Sequence, residues 1–174
     1  MNTEAMSEVK DLRQEDAVKK LREIVGHNAT CMFHTRHTDG TLASCPMMVR
    51  EVDDLGSMWF LSGRSTEKNA HLAAYPHAMF TITDNAHSEY LVVHADVSIV
   101  DDRARKEELW TAFAKAWFPQ GVDDPELTLL KAVPSDCQYW DTVDGKLVQL
   151  VKIAGAALTG KPNDSGSVSG RLQP

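Results

Sequence analysis

Cysteine is scarce and scattered. The chain of 174 residues has three, Cys31, Cys45 and Cys137, an odd number with no Cys-x-x-Cys pair. That argues against a disulfide framework and a structural zinc site, and fits free thiols in a reducing cytoplasm. Long apolar runs are missing as well. No stretch approaches the roughly 20 residues a membrane helix needs, and the polar segment 1–13 has no apolar h-region, so neither a membrane partner nor a secretory signal is expected. There is no block of Lys and Arg. With 18 basic against 25 acidic side chains the net charge is −7, so nucleic acid is not an expected partner. Gly-x-Gly-x-x-Gly, the Walker loop and the Gly-x-Ser-x-Gly elbow are absent too. Nothing marks a nucleophile–histidine–acid triad.

What is present belongs to one globular domain. The chain is 43% hydrophobic and 25% charged, ordinary values, and long enough to bury roughly 70% of its unfolded surface without staples. Val18, Leu21 and Val25 recur at helical spacing and predict a helix over Ser7–Val25. From Thr30 the character changes. Strands are predicted over Thr30–Arg36 and Thr41–Val52, joined by Asp39-Gly40, then over Ser57–Ser62, Ala78–Thr83 and Glu89–Val100. A short helix, Glu67–Tyr75, ends before Pro76. Asp101-Asp102 caps a helix running to Trp117, with Leu109, Phe113 and Ala116 on one face. Strand pieces follow at Leu127–Val133 and Gln138–Thr142, then a hairpin at Asp144-Gly145 and a last strand, Lys146–Ile153. The organisation expected is a flexible N-terminus (1–14), one domain (15–159) and a disordered tail (160–174) poor in large apolar residues. Strands joined by tight turns predict a mainly antiparallel α+β barrel or sheet with flanking helices.

The stretch Trp59–Lys68 carries the most chemical information. An apolar strand runs into hydroxyls and cations, then into a helix start whose free N–H groups favour an anion. Arg64, Ser65, Thr66 and Lys68 could surround a phosphate. The plainer alternative, an N-cap with two solvated cations, carries more weight on these residues alone. Histidines give little: His34 and His37 point to opposite faces of a strand, His71 and His77 flank a helix end, and His94 sits in the long strand. No metal site is expected. Among the aromatics Trp110 reads as core, whereas Trp117, Phe118 and Trp140 could line a planar ligand.

These residues resemble a known family. Asp39-Gly40-Thr41-Leu42-Ala43-Ser44-Cys45-Pro46-Met47 is similar to the Asp-Gly…Ser-Arg-Pro-Met hairpin of the flavin-binding split barrels, and Trp59–Lys68 resembles their strand–loop–helix. Asp101-Asp102-Arg103-Ala104, Glu108-Leu109-Trp110, Lys115–Pro119 and Gln138–Asp141 are similar to the general stress protein 26 branch. The resemblance covers Asp16 to Lys161. It implies a six-stranded antiparallel Greek-key split barrel related to pyridoxamine 5′-phosphate oxidase, a homodimer, and FMN (with FAD as the other flavin) in the cleft between subunits. By position, Thr66 and Lys68 match the phosphate-binding Ser and Lys, and Leu61 and Ser62 lie beside the flavin. Tyr90 and Trp140 match cofactor-side positions, and Pro46 and Met47 pass close to the isoalloxazine.

Two departures bear on that expectation. Cys45 stands where the family often has Arg before Pro-Met, and Glu67 stands where it has Arg before the phosphate Lys. Each lost charge-assisted contact costs about 1.5–3 kcal/mol, with Arg64 as a possible replacement cation. The oxidase's Arg-x-His-x-Arg cluster after the Trp strand is missing: Trp140 is followed by Asp141-Thr142-Val143-Asp144. Pyridoxamine 5′-phosphate oxidation is therefore not expected. The terminal Gly170–Pro174 looks like that oxidase's C-terminus but lies past a linker. Three functions remain: a flavin-dependent oxidoreductase of unknown substrate, a non-enzymatic flavin or haem (tetrapyrrole) binder with His94 as candidate haem ligand, and a stress protein whose flavin site has decayed. The residues single out no catalytic acid or base.

Overall fold

The computed structural model describes residues 8–142 and 167–174. In chain order these form β1 (Glu8–Val9), β2 (Leu12–Arg13), α1 (Gln14–His27), β3 (Thr30–Arg36), β4 (Leu42–Met48), β5 (Glu51–Val52), β6 (Met58–Gly63), α2 (Glu67–Ala74), β7 (His77–Asp84), β8 (Glu89–Val100), α3 (Arg103–Leu109), β9 (Leu127–Thr142) and β10 (Ser167–Gln173). The predicted hairpin at Asp144-Gly145 and strand Lys146–Ile153 lie outside the described residues.

Side-chain alternation drives the sheet. β3 turns Cys31, Phe33 and Thr35 inward, and β8 turns Leu91, Val93, Ala95 and Val97 inward. At the centre Phe33, Phe60 and Phe80 are fully buried. Their ring centroids lie 5.3–5.6 Å apart, in one stacked and two edge-on pairs, a favourable aromatic geometry. α1 buries Ala17, Val18, Leu21 and Ile24 against this core.

The sheet closes. β4 pairs with β3, β3 with β7, β7 with β8, β8 with β9 and β9 with β6, all antiparallel, and β6 pairs with β5. β5 continues β4 after Val49 and Arg50, whose N–H groups donate to Ala29 O (2.8 Å) and Trp59 O (2.7 Å). The split-barrel class is as expected, but the strand count is not six: β1, β2 and β10 join the same sheet, which has ten strands and is mixed, since β1 and β2 pair with β10 in parallel.

β9 is where the barrel splits. Met58–Gly63 of β6 pairs with its first part, and β10 pairs with Cys137–Thr142. The junction holds Pro134, beside a register shift between His94 and Ala95 on β8. The proline lacks a ladder donor, and a bulge lets one strand bend from one neighbour to the next. The two predicted strand pieces are thus one continuous strand.

Three other expectations are corrected. First, the segment expected to be a disordered tail is ordered from Ser167: β10 runs antiparallel to β9 and buries Val168 and Leu172. Second, the N-terminus expected to be flexible pairs with β10 in parallel, through Glu8–Val9 and Leu12–Arg13. α1 therefore starts at Gln14, whose φ of 50° breaks the path from β2, rather than at Ser7. Gly170 permits this docking, because a Cβ there would lie 2.0 Å from Lys10 O. Third, the helix predicted to reach Trp117 ends at Leu109. Asp102 caps it by accepting from the Arg105 amide (3.1 Å), Trp110 and Thr111 are extended, and a 3-10 turn follows over Ala112–Ala116. The break buries Ala114 and Phe118 beside Leu127 and leaves Phe113 and Trp117 on the surface.

Candidate functional site

The β6–α2 junction is set by a buried polar network. Asn69 on the first turn of α2 is only 3% exposed. Its Oδ1 accepts from Ser62 Oγ (2.7 Å), and its Nδ2 donates to Thr128 Oγ1 (3.1 Å), whose hydroxyl donates to Ser62 O (3.1 Å). Three elements, β6, α2 and β9, are locked together here. Asn69→Ala leaves two buried hydroxyls short of partners, at about 1–3 kcal/mol each. The expected outcome is a melting temperature lower by about 4–20 °C, read by thermal denaturation.

Lys68 rises from this platform. Its Nζ donates to Ser62 Oγ and to Thr66 Oγ1, and among the described residues it makes no ion pair. Burial pushes its pKa below the usual lysine value. Arg50 is the second such cation: its guanidinium donates to Leu109 O (3.4 Å) and contacts Met48 Sδ (3.3 Å), with no carboxylate partner among the described residues. Both line one cavity of about 410 Å³, together with Pro46, Met47, Leu61, Ser62 and Trp117. Phe113 and Trp117 form an aromatic wall, 69% and 64% exposed, their ring centroids 5.4 Å apart. Exposed aromatics beside unpaired cations suit a ligand with an anionic group and a flat apolar body.

The loop between β6 and α2 is engaged elsewhere. Arg64 pairs with Asp101 (2.5 Å) and donates to Pro125 O (3.0 Å). Ser65 gives both its amide (3.0 Å) and its hydroxyl (2.6 Å) to Glu126 Oε2. Thr66 Oγ1 donates to Gly63 O (2.8 Å). In this arrangement Arg64, Ser65 and Thr66 are spent on protein partners, and the Ser65 amide and hydroxyl both go to Glu126. Glu67 is exposed, outside the cavity lining.

Tyr90 and Trp140 stand apart. They are Cα partners across β8 and β9, each 42% exposed. Leu61 at the cavity pairs with Leu129, and Leu129 with Val100. Tyr90 is ten residues back along β8, about 33 Å of strand. Of the eleven candidates, Pro46, Met47, Leu61, Ser62, Lys68 and Trp117 line the cavity in one chain; the remaining five do not. Phe118, the other candidate for a planar ligand, lines it as well.

Sequence reasoning missed Arg50, Phe113, Asn69 and Glu126. Phe113 was placed with Leu109 and Ala116 on one face of a continuous helix, an assignment the break at Trp110 overturns. Arg50 lies within the strand predicted over Thr41–Val52 and Glu126 just before the one predicted from Leu127, neither with a motif around it, and only the pairing of distant strands brings them to β6.

A family model described as pyridoxamine 5′-phosphate oxidase like matches residues 16–164. Among solved structures the chain is similar to one described as a general stress protein 26 from Jannaschia sp. CCS1, at 26% identity, covering 92% of this chain and 99% of that one, TM-score 0.73. It is also similar to a protein related to general stress protein 26 from Clostridium acetobutylicum, at 25% identity, 75% and 92% coverage, TM-score 0.64. A general stress FMN/FAD binding protein from Xanthomonas citri shares the fold at 22% identity, 72% and 87% coverage, TM-score 0.62. No curated protein matches. No helix among the described residues is long and apolar enough to cross a membrane.

Proposed function

Because the chain belongs to the pyridoxamine 5′-phosphate oxidase-like family, we propose that it is a homodimeric flavin-binding protein of the general stress type. FMN is the preferred flavin and FAD the second. The observation that carries this is the cavity itself: Lys68 and Arg50, neither with a carboxylate among the described residues, face the space beside Phe113 and Trp117. A half-buried ammonium without an anion is costly, and a phosphate supplies the missing charge.

The residues fit the group with a changed division of labour. Lys68 and Arg50 neutralise the phosphate, so Arg50 takes the part that Cys45 and Glu67 leave vacant. Ser62 donates its only hydroxyl proton to Asn69, so it orients Lys68 rather than binding phosphate. Pro46, Met47, Leu61 and Trp117 exclude water from the flavin ring. Bound flavin supplies hydride and single-electron chemistry, which would make the protein an oxidoreductase where a nicotinamide donor reduces it. The separation of Tyr90 and Trp140 from this cavity suggests that they complete the cleft as Tyr90 and Trp140 of the partner subunit. Three free thiols support a reducing, cytoplasmic setting.

Glu126 tunes the affinity. Its carboxylate is held below the usual range by the Ser65 hydrogen bonds and stays charged at neutral pH, on the loop that leads from Ser62 and Gly63 of the cavity to Lys68. Glu126→Gln is expected to tighten FMN binding by up to about fivefold, the scale of an exposed charge interaction, and to leave riboflavin affinity unchanged.

The haem alternative places its ligand elsewhere. His94 lines a separate cavity of about 450 Å³ with His34 and His77. Pyridoxamine 5′-phosphate oxidation is not expected, since Asp141-Thr142-Val143-Asp144 follows Trp140 in place of an Arg-x-His-x-Arg cluster. The test is a titration of the purified protein with FMN, FAD and haemin, followed by flavin fluorescence and visible absorbance, with light scattering for mass. Saturable FMN binding by a dimer supports the proposal. A monomer at micromolar concentration, or haemin bound with flavin refused, overturns it.

A further inference from the structure

At the Tyr90 end of the barrel, four side chains from separate segments converge. They are His27 at the end of α1, Asp84 at the end of β7, His87 in the turn, and Glu89 at the start of β8. We propose that these four residues form a binding site for a first-row divalent cation, of which zinc is the representative. Their potential ligand atoms all lie within 4.8 Å of one another. Two imidazoles and two carboxylates make an N₂O₂ donor set suited to tetrahedral zinc, which bonds such atoms at about 2.0–2.2 Å.

The carboxylates are presented rather than solvated. Glu89 is 2% exposed and Asp84 7%, although buried carboxylates ordinarily require a cation. Asp84 has no Lys or Arg partner among the described residues. Its Oδ1 accepts from the amides of Ala86 (2.7 Å) and His87 (3.3 Å), which leaves Oδ2 toward His87 Nδ1 at 2.8 Å. Glu89 is divided in the same way: Oε1 lies 3.6 Å from Lys20 Nζ, and Oε2 meets His27 Nδ1 at 2.7 Å. Both imidazoles thus aim Nδ1 at a fixed carboxylate oxygen, and the two rings stack at 4.2 Å and 17°. Outer-shell anchoring of this kind holds metal ligands in place. A divalent ion replaces the imidazole protons and serves both carboxylates at once.

The neighbouring acidic group shows the contrast. Glu23, Glu89 and Asp141 also converge, but the Lys20 ammonium already sits among them, at 3.1, 3.6 and 2.5 Å. In the histidine-bearing cluster Lys20 reaches only Glu89 Oε1, at 3.6 Å, and among the described residues no Lys or Arg reaches Asp84. The sequence hides it, because His27 is 57 positions before Asp84.

The test is Zn²⁺ titration of the full chain, without flavin, in competition with a chromophoric chelator, and Co²⁺ titration read by its visible d–d absorption. One ion per chain is expected. His87→Ala and His27→Ala should each weaken binding by at least about tenfold, and Cys45→Ser should not. His87 lies on an exposed turn, so its variant decides the matter should His27→Ala fold poorly by circular dichroism. Absence of Zn²⁺ uptake at about 100 μM, or uptake unchanged in His87→Ala, overturns the proposal. Flavin binding plays no part in either readout.

Discussion

Lys68→Ala is expected to lower FMN affinity by about 10- to 100-fold and to leave riboflavin affinity nearly unchanged. A hydrogen bond to a charged group contributes about 1.5–3 kcal/mol, or one to two decades in Kd. The lysine is held for this contact: Ser62 and Thr66 accept from its Nζ, and Asn69 fixes Ser62. Riboflavin lacks the phosphate, so a loss confined to FMN separates a charge effect from a general collapse of the site. Arg50→Ala should show the same selectivity, and the double variant a larger loss. Equal losses for FMN and riboflavin would place the phosphate elsewhere. The sign with pH follows from the Lys68 pKa, which burial depresses: FMN affinity falls as pH rises, and does so before an ordinary lysine would discharge.

Leu172→Ala is expected to destabilise the protein by about 2–5 kcal/mol, the usual range for emptying a fully buried leucine position. At this size that is a melting temperature lower by roughly 5–20 °C. Leu172 is 1% exposed, with Cys137 of β9 on one side and Leu12 of β2 on the other. Gly170→Val should act in the same direction, since its first carbon already meets Lys10 O at 2.0 Å. Leu55, 77% exposed, provides the control: Leu55→Ala should stay within about 0.5 kcal/mol. A disordered tail would make Leu172→Ala as silent as Leu55→Ala.

Segments with their own periodicity were legible in the sequence. β3 is observed over Thr30–Arg36 and β8 over Glu89–Val100, both with the predicted bounds. Alternating side chains and an Asp-Gly turn are local signals, and local signals survive folding. The tail was misjudged because composition says little about a strand whose partners lie far away in sequence. Gly, Ser and Pro surround only two aliphatic anchors, Val168 and Leu172, and β9 and the N-terminal segment supply the rest. The helix ending at Leu109 failed for a similar reason. Trp110, Thr111 and Phe113 have only weak helix preferences, and burial of Ala114 and Phe118 against Leu127 outweighs continuity.

The candidate site was half legible. Pro46, Met47, Leu61, Ser62, Lys68 and Trp117 meet at one cavity. The family resemblance pointed to the first five, and Trp117 was marked as an aromatic for a planar ligand. Glu126 was not foreseeable, because the contact that occupies Ser65 spans 61 positions. Arg50 escaped notice for the same reason: a lone arginine within the strand predicted over Thr41–Val52 carries no signal until the cavity is assembled.

The claim most open to contradiction is that the flavin cleft needs two copies of the chain, with Lys68 from one and Trp140 from the other. Lys68→Ala and Trp140→Ala are each expected to be defective in FMN binding. Mixed and allowed to exchange subunits, they should form dimers with one intact cleft and recover roughly a quarter of the sites at native affinity, by the symmetry of a shared two-fold interface. Recovery of none, with exchange verified by mass, would contradict the account and put the whole flavin site within a single chain.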